Sequence, residues 1–285
     1  MRTPSRYIAV VCLSLFSTPA FSQSASSSGY ALGVNQTVTV PLVADATVIV
    51  GPLAATSGSA PPNYNLSNSV VSVNQTAALT TGLVGISQRL QTGLLTSNSM
   101  GTATGASANA TINNLTLGVG PTTVFTSFLP SLLGLGATTI QSQSTASSVG
   151  GLSASGVTII EGLTLTGSVF NNFTFDSSLF VNPNPNTVLF NALGLSIILN
   201  EQIFSGNGVT STGITTNAIH IGFNNFVAGA GLTNGDIIFG QTRASINAVS
   251  GAVPETSTWV MMVLGFGAIG FSIRKRPGKI ASMLA

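Results

Sequence analysis

Between Gln23 and Val253 apolar and polar residues alternate in segment after segment, and helical spacing is hard to find. Tyr30-Ala31-Leu32-Gly33-Val34, Thr37-Val38-Thr39-Val40, Ala46 to Val50, Ser69 to Val73 and Ala110 to Leu117 put their apolar groups on one side, as a strand on a half-buried sheet does. Thr138 to Ser147, Val157 to Thr166, Ser168 to Phe175, Thr187 to Leu199, Ile214 to Phe223 and Asp236 to Ile246 repeat the pattern with Thr, Val, Ile and Phe, side chains that suit a pleated surface. Breakers separate them: Ser57-Gly58, Pro61-Pro62-Asn63, Gly150-Gly151, Asn182-Pro183-Asn184-Pro185-Asn186, Gly206-Asn207-Gly208 and Asn234-Gly235-Asp236, the last read as a hairpin turn. Many short strands with frequent turns predict an all-β body of the sandwich type. A β-solenoid is the alternative, although no fixed repeat period is found. Phe125 to Leu135, apolar with Pro130 inside it, departs from this texture and reads as a loop over a sheet edge or a short helical turn.

The polar half of the alternation is almost never ionic. From Gln23 to Val253 the charges are Asp45, Glu161, Asp176, Glu201 and Asp236 against Arg89 and Arg243, so two cations and five acids leave −3. Phosphate binding needs clustered Lys and Arg, and with no lysine and two distant arginines this body is unsuited to nucleic acid. Val, Ile, Leu and Phe are abundant enough to bury a core, so the segment is expected to fold, as one domain of the size common for sandwiches. The sole cysteine is Cys12. The body therefore has neither a disulfide nor a thiolate to offer a metal or a substrate.

Both ends carry address signals. Arg2 and Arg6 precede the apolar stretch Tyr7 to Phe16, and Ala20-Phe21-Ser22 supplies small residues where a signal peptidase reads, which predicts a signal peptide over 1–22 with cleavage before Gln23. Cys12 sits too early to be a lipidated first residue. A flexible lead-in over 23–29, the β-rich body over 30–247 and a linker over 248–253 hinged at Gly251 follow. The chain then reads Val253-Pro254-Glu255-Thr256-Ser257-Thr258-Trp259, an apolar run from Val260 to Ile273, and Arg274-Lys275-Arg276. Pro254 blocks regular pairing, Trp259 suits a membrane interface, the run suits lipid, and the cations resist crossing. As a helix the run from Thr256 to Ile273 rises about 27 Å, slightly short of a hydrocarbon core of about 30 Å, which makes it a marginal span.

That order of parts, from Val253 to Arg276, resembles the PEP-CTERM sorting signal of Gram-negative bacteria. Pro254 and Glu255 fall on its motif, and Thr256 stands where the family usually has a second proline. The resemblance implies a tripartite signal over 254–276 with one transmembrane helix, a cytoplasmic tail over 277–285, and cleavage by an exosortase-type membrane transpeptidase. Gly265, Gly267 and Gly270 spell the dinucleotide fingerprint G-x-G-x-x-G, but no strand precedes them and no acid follows, so they read instead as small residues that let helices approach in lipid.

The second half of the body resembles the closing region of the exported choice-of-anchor families. The residues concerned are Val188-Leu189, Leu199-Asn200-Glu201-Gln202, Thr216-Asn217-Ala218-Ile219-His220-Ile221 and Gly235-Asp236-Ile237-Ile238, with Gly51-Pro52-Leu53 and Ala60-Pro61-Pro62 upstream. Those are surface domains that occur with different C-terminal anchors. The resemblance brings no catalytic residue with it.

Catalytic chemistry finds little footing. His220 is the only histidine; a Ser-His-Asp site would take Asp176 or Asp236 as its orienting acid, but no nucleophile elbow marks a serine, and His220 reads as a strand residue with its ring at a hydrogen-bonded edge. Zinc would need several of the scattered acids, and no Asp-x-Asp-x-Asp-Gly loop exists for calcium. A glycosidase pair would have to be Glu161 with Glu201, and sugar platforms are few, since only Tyr30 and Tyr64 are large polar aromatics in the body. The sequence thus predicts an exported, non-enzymatic protein of the cell surface or an extracellular matrix such as a biofilm or floc, without metal or cofactor. Signal peptidase, the transpeptidase, the inner membrane in transit, and exopolysaccharide or further copies of itself are its expected partners. A carbohydrate-binding adhesin is the alternative, and a secreted hydrolase stands third.

Overall fold

The protein is described here by a computed structural model covering residues 22–40, 44–81, 84–123, 131–176, 178, 180–229, 231–249 and 256–274. Two compact units result, Gln23–Val249 and a second to which the helix over Thr256–Arg274 belongs. The first unit is built of β1 (Ser22–Val40), β2 (Ala44–Leu53), β3 (Thr56–Ala60), β4 (Tyr64–Val70), β5 (Val73–Thr81), β6 (Val84–Thr92), β7 (Leu95–Thr102) and β8 (Gly105–Thr123). After these come β9 (Leu133–Ser147), β10 (Ser153–Glu161), β11 (Thr164–Thr166), a 3₁₀ turn over Ser168–Phe170, β12 (Thr187–Ala192), β13 (Leu195–Ser205), β14 (Ser211–Ala228) and β15 (Gly231–Val249).

Two sheets form. One runs β12-β13-β14-β15-β1-β2 with β3 also on β1; the other runs β10-β9-β8-β6-β5, with β11 also on β9 and with β7 and β4 extending from β8. Every pair whose register is described is antiparallel. The sheets face each other: Ser144 of β9 reaches Thr216 of β14 and Thr242 of β15. Both sheets end in edge strands, so neither closes into a barrel. The all-β expectation holds, and antiparallel pairing replaces the parallel coils a solenoid would need.

Several sequence expectations are corrected. Residues 23–29 are not a floppy lead-in, because Ala25 to Gly29 pair with β3. Ser57-Gly58 lies within β3, and Asn234-Gly235-Asp236 lies within β15, where Gly235 takes φ +115° and a Cβ would meet the Asn35 carbonyl oxygen. Ser69 to Val73 straddles the break between β4 and β5, Val157 to Thr166 breaks at Gly162, and Thr187 to Leu199 is a hairpin turning at Leu193-Gly194. Ser168 to Phe175 is a 3₁₀ turn and loop, whose Phe170 stacks edge-on against Phe175 and Phe190 with ring centres 5.3 and 5.1 Å away. Edge-to-face packing of this kind rewards burial without strand pairing. Residues 248–249 continue β15, whereas 250–253 with Gly251 lie outside the described residues, as do 125–130 of the apolar Phe125 to Leu135 segment.

A row of irregularities crosses both sheets. Asn200, Ala218 and Gly240 drop out of the ladders between β13, β14 and β15, and Asn114 drops out between β8 and β9 opposite Thr138. Asn114, Asn200 and Gly240 take left-handed φ values of 52°, 50° and 64°. Asparagine and glycine tolerate that region best. Each drop-out reverses which alternate residues face inward: in β14, Ile214 and Thr216 face in before it, and Ile219 and Ile221 after it.

The row divides the interior. On one side Leu117, Leu133, Leu135, Ile197, Ile221 and Phe239 belong to one large buried cluster. On the other many inward residues are small, Ala25, Ala106, Ala146 and Ala244 with buried Ser97, Ser99, Ser144, Thr216 and Thr242, and they stand beside Ile112, Ile140, Ile214 and Ile246. Small side chains let the sheets approach closely there, so that a Cβ at Gly156 would collide with Thr216 Oγ1.

In the second unit α1 spans Thr256–Arg274. Its 19 residues rise about 28 Å. Met261, Val263, Leu264 and Phe266 are exposed. Among the described residues no helix is long and apolar enough to cross a membrane.

Candidate functional site

The border row also gathers polar side chains that alternation alone would scatter. In an unbroken strand Asn217 and His220, three positions apart, face opposite ways. Because Ala218 leaves the ladder, both project from the outer face of the first sheet. There Glu201 of β13 lies beside Asn217, and so does Gln241 of β15.

His220 Nδ1 is 2.9 Å from Glu201 Oε2, and its Nε2 is 3.0 Å from Asp236 Oδ1. A carboxylate only accepts, so both ring nitrogens must donate and the ring is an imidazolium. The Glu201 hydrogen bond is the main reason the His220 pKa is raised to about 9; burial opposes it, and the Asp236 bond and both negative charges add to it. The His220 bond in turn holds Glu201 below the usual carboxylate range against its own burial, helped by Asn217. Asn217 Nδ2 donates to Glu201 Oε2 at 2.6 Å, and Gln241 Nε2 donates to Asn217 Oδ1 at 2.9 Å. The cluster is thus a chain of five residues on three strands in which each partner fixes the next.

Its chemistry is that of a clamp. A general base needs a nitrogen with a free lone pair facing the proton it takes. Here both nitrogens are already committed to acids, and among the described residues no serine hydroxyl bonds the ring. Ser196 Oγ, on this face, donates to the Gly222 carbonyl at 3.4 Å. Of the other titratable groups weighed in the sequence, Glu161 is exposed at the end of β10. Asp176 is exposed and bonded to Ser178, which lowers its pKa. Neither joins Glu201 and His220. Among the described residues no group of three or more His, Cys, Asp or Glu is arranged to hold a metal.

Beside Asp236 the outer face opens into a trough between β15, β1 and β2, lined by Tyr30, Gly33, Asn35, Ile49, Pro52 and Asp236 among others. The Tyr30 ring lies over Gly33, where a Cβ would stand 3.0 Å from it, so glycine is what leaves the ring room there. Burial, and secondly the Asp236 charge, raises the Tyr30 pKa. The other tyrosine of the body, Tyr64, is used structurally: its ring packs against Gly58 and Gly101, and its hydroxyl is 2.8 Å from Ser27 Oγ. A second, smaller cavity lies between the sheets, where the unpartnered Gln36 Oε1 and Thr233 Oγ1 line about 50 Å³, room for water.

The sorting residues fall elsewhere. Thr256 begins α1, Trp259 lies in its first turns, and Arg274 ends it. A Cβ at Gly265, Gly267 or Gly270 would meet nothing within 4 Å. Pro254, Glu255, Lys275 and Arg276 lie outside the described residues. Sequence reasoning weighed Asp176 or Asp236 as the acid beside His220 and Glu201 as half of a glycosidase pair, but it did not assemble Glu201, His220 and Asp236 into one cluster, and it did not single out Asn217 and Gln241 as site residues. The signal that could have joined them is the asparagine and glycine at Asn200 and Gly240, since left-handed residues inside otherwise regular strands mark reversals of facing.

Compared with protein-family models, with curated proteins and with solved structures, the chain matches none.

Proposed function

We propose that this is an exported, non-enzymatic protein of the cell surface or extracellular matrix. It is delivered through the inner membrane of a Gram-negative bacterium and released from its C-terminal tail by an exosortase-type transpeptidase. The observation that carries the non-catalytic half is the saturation of His220: the one side chain whose ordinary pKa suits proton transfer near neutrality has both nitrogens tied to Glu201 and Asp236. The address half rests on sequence. Pro254-Glu255, the apolar helix with exposed Met261, Val263, Leu264 and Phe266, and the cations Arg274 to Arg276 stand in sorting-signal order, and a helix with so much exposed apolar surface calls for a cover such as lipid.

The outer strand positions supply hydroxyls and amides more than charge. Asn65, Asn98, Asn74 and Gln91 bond to one another across strands, and the face they make suits hydrated polymer or further copies of the chain. A second reading, a carbohydrate-binding adhesin, is favoured by the trough that Tyr30 and Asp236 line. Intact-mass measurement of the protein from its native cells tests the address. The expected species begins near Gln23 and ends close to Glu255, and a species still carrying Met1 or Arg276 contradicts it.

A further inference from the structure

The clamp around His220 is more construction than a strand surface needs. The body has five acidic residues, and two of them are used to hold its only imidazole. The side chain at the far end of that chain, Asp236, is not buried: 55% of its surface stays exposed, and Oδ1 alone is engaged by His220. The fixed carboxylate therefore presents its second oxygen where the trough opens. Across the floor lies the Tyr30 ring, given room on β1 by the absence of a side chain at Gly33, and Ile49, 70% exposed, stands on the β2 side. Three local departures from regular strand build this place, the drop-out at Ala218, the left-handed Gly235 next to Asp236, and the register shift between Leu32 and Val34.

We infer that the trough between β15, β1 and β2 is a binding subsite for a neutral polysaccharide, with Tyr30 as its apolar platform and Asp236 as its hydroxyl acceptor. This rests on the surface reading above and deepens it by naming the ligand class and the residues. A sugar ring has an apolar C–H face and an equatorial rim of hydroxyl donors, and an aromatic ring beside a carboxylate matches both. An anionic polymer is disfavoured, because the only charge lining the trough is a carboxylate, and the whole body carries −3 over Gln23 to Val253. His220 and Glu201 touch no sugar in this arrangement. They are positioning residues, and their work is to keep the Asp236 carboxylate from turning into solvent, so less ordering remains to be done when the ligand arrives.

The test uses the full chain in phosphatidylcholine nanodiscs, titrated by calorimetry with cellohexaose, maltohexaose and laminarihexaose, and with an oligogalacturonate as the anionic counterpart. Saturable binding of at least one neutral hexasaccharide is expected, with the oligogalacturonate bound at least about tenfold more weakly. Tyr30→Ala and Asp236→Asn should each weaken the neutral ligand by about tenfold or more, and Tyr30→Phe should keep it within about threefold. His220→Gln should weaken binding by an intermediate factor and lower the sensitivity of affinity to Asp236→Asn, a coupling that a purely structural role would not produce. If Tyr30→Ala fails to fold, Asp236→Asn alone decides. Absence of binding by all three neutral ligands at about 10 mM, binding unchanged in both variants, or equal binding of the anionic ligand overturns the inference. None of these outcomes bears on where the protein is delivered or how its tail is processed, which the intact mass decides separately.

Discussion

In one half of the sandwich interior Leu117, Ile197, Ile221 and Phe239 fill the space between the sheets. In the other half the same long strands put alanine, serine and threonine there, and Ser144 Oγ sits 2.9 Å from both Thr216 Oγ1 and Thr242 Oγ1. The first half is held by the volume of hydrocarbon removed from water, a non-directional force that tolerates some rearrangement. The second buries less hydrocarbon per residue and depends on close approach and on hydroxyls such as those of Ser144, Thr216 and Thr242 that bond one another. A chain with no disulfide can be stabilised in both ways at once, provided something lets the strands change which residues they turn inward. The Asn114, Asn200 and Gly240 row does that, and the same reversal places Asn217 and His220 side by side on the outer face.

The comparison breaks most visibly in the apolar half. Phe239→Ala should cost about 3–5 kcal/mol in denaturant unfolding, because a fully buried ring leaves a cavity that its neighbours fill only in part. Ser144→Ala should cost about 1–3 kcal/mol, since Thr216 and Thr242 lose a shared partner while almost no volume is removed. Equal costs for the two would erase the distinction between the halves. Gly240→Ala tests the border between them: its φ of 64° disfavours any side chain and a Cβ would stand 3.2 Å from both Ala218 Cβ and Ser142 Oγ, so a loss of about 1–2 kcal/mol is expected. A neutral Gly240→Ala would mean the row is not fixed where it appears.

The outer clamp adds a pH dependence that a body with few titratable groups would otherwise lack. Because the His220 pKa is higher in the folded chain than its ordinary 6.5, its stabilisation is complete below about pH 6.5 and is lost as pH rises through about 9. Glu201, held low, works in the opposite direction and loses its contribution only as pH falls below the ordinary carboxylate range. The unfolding free energy should therefore be flat between about pH 5 and 6.5 and decline by roughly 1 kcal/mol by pH 9, a figure reduced for the partial exposure of the ring. His220→Gln should abolish the slope. The smallest expected effect is at the surface, where Val188→Ser should change stability by less than about 0.5 kcal/mol.

The sequence made the class of fold legible because strand alternation is local: β8, β9, β14 and β15 were all located from pattern, though shorter than they are. Strands rich in Ser and Asn, such as β4 and β7, carry little hydrophobic period, so β7 was missed and only the end of β4 was picked out, and alternation alone does not mark Ser97 and Ser144 as inward. A hairpin such as β12–β13 reads as one strand when its turn is a single Leu193-Gly194 pair. The site was illegible for a different reason. Its five residues span 41 positions, and they share a face only because Ala218 leaves the ladder, which no period of two encodes.

The central claim is that His220 is a fixed cation and not a base. Its most direct test is a nitrogen-detected NMR titration of the histidine ring in the folded chain. The account predicts that both ring nitrogens carry protons at pH 7.5, with a single titration near pH 9 that shifts downward in Glu201→Gln. A neutral ring at pH 7.5, titrating at or below its ordinary 6.5 with one nitrogen unprotonated, would contradict it and return His220 to the list of catalytic candidates.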